Sequence, residues 1–502
     1  MTFTSLTFIC FLPLVFALYW LLRTPRRQNL LLILASYLFY GWWDYRFCAL
    51  ILFSSVLDFV LGWYLGQAKS KRSRRLLLGG SLFANLGMLG LFKYFNFFAE
   101  SFSHLATGFG WTPGSVTLNI VLPVGISFYT FQTLSYSIDI YRGKIRATKN
   151  ILDYLAFVSF FPQLVAGPIE RASHLLPQFE KQRCFDQQMA RSGGRLILWG
   201  FFKKIVIADR LGVIVDQFYT QPELVSGPLL AFATVCFAFQ IYCDFSAYSD
   251  IAIGTGRLFG IRLMRNFAYP YFSQSVGEFW RRWHISLSTW FRDYVYIPLG
   301  GSQRGAFRRS RNLLATFVVS GLWHGAGWQF LAWGGVHGSM VASGHGNRHR
   351  QKKGQQESAI RKGDGGRDVI PTPGGERNIP TVKTLCNMAL TFGIICLCWV
   401  FFRAANIQDS FLIIGRFFTD AFSYSAWQEL LAFAGEGKLF KRAVMLLGFL
   451  VVVEWIQRRQ MCPLDLEWCP APLRWTLYTI VLWGTLYYMM PSAGQQFIYF
   501  EF

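Results

Sequence analysis

Long apolar segments recur along the whole of this chain, and short runs of Lys and Arg stand between them. A helix needs about 20 apolar residues to cross a hydrocarbon core of about 30 Å, and no other backbone arrangement short of a closed barrel satisfies its own hydrogen bonds there. Segments suited to crossing are Met1–Leu22, Leu30–Tyr40, Phe47–Gly66, Leu76–Phe98, Val116–Ile140, Leu196–Phe218, Leu229–Ile253, Thr384–Phe402, Ala443–Ile456 and Trp475–Met490. Composition agrees, with 53% hydrophobic and 15% charged residues and with 50 Phe, 22 Tyr and 18 Trp. Soluble proteins carry roughly 25% charged residues, and a soluble domain could not hide this much aromatic surface, whereas lipid can cover it. The expected fold is all-α, a polytopic membrane protein with about ten crossings.

Charge sets the orientation. The formal net charge is +22, from 49 Lys+Arg against 27 Asp+Glu, and in a soluble protein that excess would suggest nucleic acid. Here the cations fall in loops, as cytoplasmic loops require, so no nucleic-acid partner is expected. Met1–Leu22 has no basic residue ahead of its apolar run and reads as a retained first span rather than a signal peptide. Arg23, Arg26 and Arg27 then place the first loop inside and the N-terminus outside. Charge and parity agree through the basic run at 69–75, the Lys- and Arg-free stretch Glu100–Pro113, and Arg142 to Lys149. Continuing the count puts the C-terminus outside as well. Lys438, Lys441 and Arg442 run against the rule, since they fall on the outer side.

Two segments resist a simple crossing. Ile151–Gly167 carries Pro162 and Pro168 among glycines, the pattern of a re-entrant or broken helix. Asn312–Met340 is interrupted at Gly321, Gly325, Gly327, Gly334 and Gly335. A single crossing there would put Val341–Lys383 outside, yet that stretch holds nine Lys/Arg against four Asp/Glu and is rich in Gly and Pro. It reads as a basic cytoplasmic linker, so Asn312–Met340 is expected to be a hairpin of two short helices. Lys203 and Lys204, inside a crossing, should face protein or water rather than lipid.

Candidate chemistry is confined to a few side chains. Ten cysteines in a long chain form no disulfide scaffold, and seven of them sit in apolar stretches with no histidine to complete a zinc set, so no metal is expected. No P-loop, dinucleotide fingerprint or Gly-x-Ser-x-Gly elbow occurs. The run from Phe279 to Asp293 has helical period, with Trp280, Trp283, His284, Leu287 and Phe291 on one face and Arg281, Arg282, Ser288 and Arg292 mostly opposite. That is the pattern of an interfacial helix. His284 lies on its apolar stripe, where a buried, hydrogen-bonded structural histidine is the equal alternative. His324 sits at the Gly-rich apex of the hairpin, in Leu322-Trp323-His324-Gly325-Ala326-Gly327-Trp328. An ionisable group at membrane depth is a functional candidate by default, although a helix-packing histidine between small residues is the plainer reading. Imidazole suits proton transfer because it titrates near ~6.5 and burial favours its neutral form. His337 reads as structural, and His104, His174, His345 and His349 lie in polar loops. Arg281, Arg282, Arg292, Arg304, Arg308, Arg309 and Arg311 concentrate charge beside the two candidate histidines. They could hold the phosphates of a soluble donor, or simply express the positive-inside rule and face anionic headgroups of membrane lipids.

The longer motifs carry a resemblance. The runs are Gln240-Ile241-Tyr242-Cys243-Asp244-Phe245-Ser246-Ala247-Tyr248-Ser249-Asp250, then Asn266-Phe267 with Tyr269-Pro270, then Glu278 through Ser288. Phe161-Pro162-Gln163, Ala166-Gly167-Pro168-Ile169-Glu170-Arg171 and Trp323-His324-Gly325 join them. In order along nearly the whole chain, these resemble the membrane-bound O-acyltransferase family, and within it the bacterial alginate O-acetylase branch. The tail Phe497-Ile498-Tyr499-Phe500-Glu501-Phe502 is similar to the aromatic ending of that branch, with Glu501 in place of the expected Gln. The linker at Val341–Lys383 is longer and more basic than the branch pattern.

The resemblance implies a single transmembrane domain over residues 1–502, with re-entrant helices around a central tunnel. It makes His324 the catalytic histidine and His284 a second histidine facing the same tunnel. It implies acetyl transfer from a cytoplasmic donor, acetyl-CoA, which is a substrate and not a tightly bound cofactor. The group would cross the bacterial inner membrane for O-acetylation of an extracellular or cell-wall polysaccharide such as alginate. A periplasmic or surface partner of serine-esterase type would complete the transfer. Peptidoglycan O-acetylation and teichoic-acid D-alanylation are the alternatives on the same fold. Outside it, broken helices and buried charges also fit a secondary transporter, although the two halves of the chain show no internal repeat.

Overall fold

A computed structural model describes residues 1–111, 117–118, 121–303, 305–344, 380–458, 460, 463–489 and 497 of the chain. Those residues are predominantly α-helical and contain no strand. They divide into two compact units, the first built from Met1–Val206, Asp244–Arg265 and Leu464–Phe502, the second from Ile207–Cys243 and Asn266–Pro463. Four helices among the described residues are long and apolar enough to cross a membrane: Arg46–Gln67, the continuous Lys71–Gly108, Gly227–Leu258 and Val382–Arg403; Leu6–Leu21 is a shorter apolar helix.

In the first unit α1 (Leu6–Leu21), α2 (Pro25–Gly41), α3 (Arg46–Gln67) and α4 (Lys71–Leu89) follow one another closely. Ser5 and Ser70 accept hydrogen bonds at the starts of α1 and α4, from the Phe8 and Ser73 backbone N–H groups, and Pro25 opens α2. Each such cap satisfies a donor that the helix itself cannot. A π-helical turn at Gly90–Tyr94 carries α4 on into α5 (Phe95–Gly108), and the helix runs past the expected boundary at Phe98. The next segment behaves oppositely. Helix α6 spans Ile126–Tyr141, beginning at Gly125 rather than near Val116. Gly125 has φ +77, and a Cβ there would stand 2.9 Å from the Leu164 carbonyl oxygen, which is why the chain turns at this glycine.

The Ile151–Gly167 stretch is broken as its prolines require, into α7 (Ile151–Ser159) and the single turn α8 (Phe161–Leu164). After α9 (Ala172–Glu180), α10 (Gln187–Phe202) passes through a π-helical stretch at Lys203–Ala208. Both lysines of that stretch are buried. The Lys204 ammonium lies 2.5 Å from the Asp244 carboxylate and Lys203 lies 2.8 Å from Asp250. The charge that the apolar crossing carries is thus neutralised within the protein.

The second unit begins with α11 (Asp209–Tyr219), and the 32-residue α12 (Gly227–Leu258) supplies its first half here and its second half to the first unit. The expected single interfacial helix over Phe279–Asp293 is corrected by the structure. Two short helices, α13 (Val276–Arg282) and α14 (Ile285–Phe291), replace it, broken where His284 takes a left-handed backbone at φ +42. Helical period in the side chains did not register a break made by backbone hydrogen bonds to another loop, described below. The expected hairpin is present as α15 (Gly305–His324) and α16 (Trp328–Gly344). Most of the proposed basic linker, residues 345–379, lies outside the described residues, as do Arg304 and the tail apart from Phe497. Beyond it run α17 (Val382–Arg403), α18 (Ile407–Thr419), α19 (Tyr424–Glu436) and α20 (Lys438–Gln457); α21 (Ala471–Met489) returns to the first unit. Helices α18 and α19 were not among the expected elements, because they are amphipathic rather than uniformly apolar.

Candidate active site

Helices α15 and α16 approach so closely that two glycines are obligatory at their crossing. A Cβ on Gly321 would lie 2.2 Å from the Phe330 carbonyl oxygen, and one on Gly334 would lie 2.3 Å from the Phe317 carbonyl oxygen. The tight turn Gly325-Ala326-Gly327 closes the hairpin and leaves His324 as the last residue of α15. Glycine at these places is what lets one histidine end a helix against the backbone of the next.

His324 is buried within a cage of rings. Its ring centroid lies 4.8 Å from Trp323, 5.0 Å from Trp333 of α16 and 5.3 Å from Phe402 of α17. His284 lies on the same site, 6.5 Å from His324 and 6.0 Å from Trp323, centroid to centroid. A ring nitrogen stands roughly 1 Å from its centroid, so nitrogens of the two rings come no closer than about 4 Å, beyond the ~3 Å reach of a direct hydrogen bond. A small oxygen-bearing group could engage both rings from between or beside them.

The loop ahead of α13 fixes His284. The Asn266 carbonyl accepts the Ile285 backbone N–H at 2.9 Å, while its side-chain oxygen accepts the Ser286 backbone N–H at 3.3 Å and the Ser286 hydroxyl at 2.9 Å. These three bonds fix the two residues that follow His284, where α14 begins after the break from α13. Arg282, tied to Glu278 at 2.6 Å, adds a backbone bridge in which the Ala268 N–H donates to the Arg282 carbonyl. His284 is fully buried, and that burial holds its imidazole well below the usual histidine range, so it is neutral at physiological pH.

His337 has a different role. The Trp280 indole N–H donates to its Nδ1 at 3.2 Å, and its ring packs 4.9 Å from Trp333, the ring that also touches His324. It supports the cage from behind, which agrees with the structural reading from sequence. His174 stands apart in the first unit, bonded through Nδ1 to Glu170 at 2.8 Å.

A cavity of about 500 Å³ lies between α13–α14 and α15–α16. Its walls include Trp280, Ile285, Ser288, Thr316 and Ser320, together with the exposed Arg281 and Arg292. Ile285 follows His284 in sequence, and Ser320 lies one helical turn before His324. The cavity therefore runs from a cationic, solvent-facing rim to Ile285 and Ser320, close in the chain to the two histidines. Of the Arg cluster singled out from sequence, these two belong to it. Sequence reasoning missed the positioning role of Asn266 and the ring cage of Trp333 and Phe402. Asn266 was visible as a motif residue, but nothing in the spacing gave its acceptor role.

Comparison with known proteins places these residues in context. The sequence profile of the MBOAT, membrane-bound O-acyltransferase family, matches residues 143–357. The chain is 40% identical over 431 residues to the probable alginate O-acetylase AlgI of Pseudomonas putida, across 85% of this chain and 81% of that protein. It is 39% identical to the protein of the same name from Pseudomonas aeruginosa, across 85% of this chain and 76% of that one. Similarity extends to the peptidoglycan O-acetyltransferase of Helicobacter pylori, at 33% identity across 82% of this chain and 78% of that protein.

Proposed function

This chain belongs to the membrane-bound O-acyltransferase family, and on that premise we propose that it acetylates an extracellular polysaccharide, alginate or a polymer like it, from acetyl-CoA on the cytoplasmic side. It is an acyltransferase, which sets aside the transporter reading. The arrangement proposed is one transmembrane domain in the bacterial cytoplasmic membrane, with about ten crossings around a central tunnel and both termini outside. A periplasmic serine-esterase-type partner would carry the acetyl group to the polymer.

The observation that carries the mechanism is the pairing of His324 and His284 in one ring-lined site, on helices that also wall the Arg-rimmed cavity. In this reading the donor enters the cavity with its phosphates toward Arg281 and Arg292 and its thioester toward the histidines. His324 takes the proton of the acceptor hydroxyl as that oxygen attacks the thioester carbonyl. His284, neutral and held by Asn266, donates a hydrogen bond to the oxyanion as charge develops. Collapse of the tetrahedral adduct expels the thiolate of coenzyme A, which leaves with the proton from His324, and the acetyl ester remains on the acceptor. The caging rings exclude bulk water and so protect the thioester from hydrolysis. Peptidoglycan O-acetylation is the second reading, favoured by the similarity to the Helicobacter pylori protein.

The test is thioester cleavage by purified protein in nanodiscs with radiolabelled acetyl-CoA, with and without the periplasmic partner. Wild type should cleave, and His324→Gln should lose about 10²–10⁴-fold, the usual worth of positioned base catalysis. A well-folded His324→Gln variant with near-normal turnover would remove His324 from the mechanism. Absence of cleavage by wild type with partner present would remove acetyl-CoA as donor.

A further inference from the structure

The three cations that run against the positive-inside rule, Lys438, Lys441 and Arg442, open α20, and the structure gives them a common direction. The buried face of α20 is Ala443, Leu446, Leu450, Glu454 and Gln457. Away from it, Met445, Phe449, Val452 and Ile456 are exposed. At 3.6 residues per turn, those four side chains and the three cations fall within one arc of about 100°. Lys438 and Lys441 are exposed and Arg442 is half-buried. The cations therefore stand at the end of an exposed apolar stripe and in line with it. From Lys438 to Phe449 the helix rises about 16 Å, close to one leaflet's share of a hydrocarbon core of about 30 Å.

None of the three side chains makes a hydrogen bond or ion pair among the described residues. The cations of the preceding helices are satisfied inside the protein: Arg403 of α17 pairs with Asp216 at 2.6 Å, and Arg416 of α18 donates to the Val225 and Glu223 carbonyl oxygens. The acidic groups before α20 are taken as well, since Asp420 accepts the Gly227 backbone N–H at 2.8 Å and Glu429 accepts that of Ser226 at 3.2 Å. Three like charges on one helix face repel one another, so the charge that offsets them comes from outside the chain. Helix α19, which leads into α20 at Gly437, exposes Tyr424, Trp427 and Leu431 at i, i+3 and i+7. Tyr and Trp are the rings that collect at the headgroup level of a bilayer.

We propose that the start of α20 binds an anionic phospholipid, with Lys438, Lys441 and Arg442 around the headgroup phosphate and an acyl chain along Met445 and Phe449. The lipid supplies the negative charge that the neighbouring helices do not, and its chain covers the apolar stripe below. Charge complementarity selects this occupant. A zwitterionic lipid brings no net charge to offset three cations, and a soluble anion leaves the stripe uncovered. The site rests on membrane placement alone and not on the acyl-transfer mechanism.

The full-length protein, delipidated in detergent, is titrated with phosphatidylglycerol or with phosphatidylcholine, and bound lipid is counted by native mass spectrometry. The expected result is saturable retention of phosphatidylglycerol in preference to phosphatidylcholine. Lys438→Gln, Lys441→Gln and Arg442→Gln should each weaken that binding roughly fivefold, from about 1 kcal/mol per basic residue at a membrane surface. The three together should abolish the preference. A control that neutralises exposed cations of α4, Lys71→Gln with Arg72→Gln and Arg75→Gln, should keep it. Equal affinity of wild type for the two lipids overturns the proposal, as does a loss in the α4 control as large as in the α20 triple variant. So does tighter binding of a soluble oligouronate than of phosphatidylglycerol at the same three cations, which would make the occupant a polymer. Should the triple variant not fold, the three single variants decide the matter.

Discussion

Neighbouring glycines on α16 should respond in opposite directions to the same added methyl group. At Gly334 a Cβ would stand 2.3 Å from the Phe317 carbonyl oxygen, 3.0 Å from its carbonyl carbon and 3.1 Å from the Val318 Cα. All three are backbone atoms, so no side chain can rotate away. Restoring ordinary contact at about 3.4 Å requires the two helices to part by roughly 1 Å at the crossing. Overpacking of this kind costs about 1–3 kcal/mol. It also moves His324 relative to Trp333 and Phe402, and a misplacement of about 1 Å in a catalytic group costs roughly 10²-fold in rate. At Gly335 a Cβ meets nothing within 4 Å, so Gly335→Ala gains only helix propensity, up to about 1 kcal/mol. The assay is thermal unfolding in detergent together with acetyl-CoA cleavage. Gly334→Ala should lose stability and about two orders of magnitude in rate, while Gly335→Ala keeps full rate with an equal or higher Tm. Wild-type rate and Tm in Gly334→Ala, or equal damage at Gly335, would refute the close-crossing argument.

Two other features give predictions of their own. Hydrogen bonding to Glu170 raises His174 above the ordinary histidine value, so the stabilisation from this pair is complete below ~6.5 and fades as pH rises through the raised value. His174 is about half-exposed, which limits the effect to below about 1 kcal/mol, and a His174→Ala variant should show a flatter Tm–pH curve from pH ~6 to ~8 than wild type. In the buried pair, Lys204→Met removes the ammonium 2.5 Å from Asp244 and should cost about 3–5 kcal/mol, while Lys204→Met with Asp244→Asn should recover most of the loss. Equal melting of the single and double variants would show that the pair contributes no coupling.

Much of this was legible in the sequence because it rests on local chemistry. Clustered glycines and prolines mark the places where helices stop, so the break at Ile151–Gly167 and the hairpin turn at Gly325-Ala326-Gly327 after His324 followed from residue type. The motif runs around Asp244, His284 and His324 carried the family, and the lysines of the Lys203–Ala208 stretch demanded partners in any apolar surrounding. Where reading failed, the cause was non-local. Phe279–Asp293 has unbroken helical period, yet the Asn266 carbonyl and side chain capture the Ile285 and Ser286 backbone groups and divide it at His284. Helix α5 overran its expected end at Phe98 because the helix continues through the amphipathic stretch to Gly108 after the uniformly apolar run stops.

The sequence by itself determined an all-helical membrane protein, its family, and two histidines of the right chemistry, since apolar length, charge placement and motif identity are properties of residues in order. Only the tertiary structure decided that those histidines, 40 residues apart in the chain, stand 6.5 Å apart in one ring-lined site. It likewise gathered Asp58 of α3, Ser81 of α4 and Ser137 of α6 into one hydrogen-bonded cluster. Proximity between distant segments is set by which side chains interdigitate where helices cross, and periodicity along one helix carries no record of its neighbour.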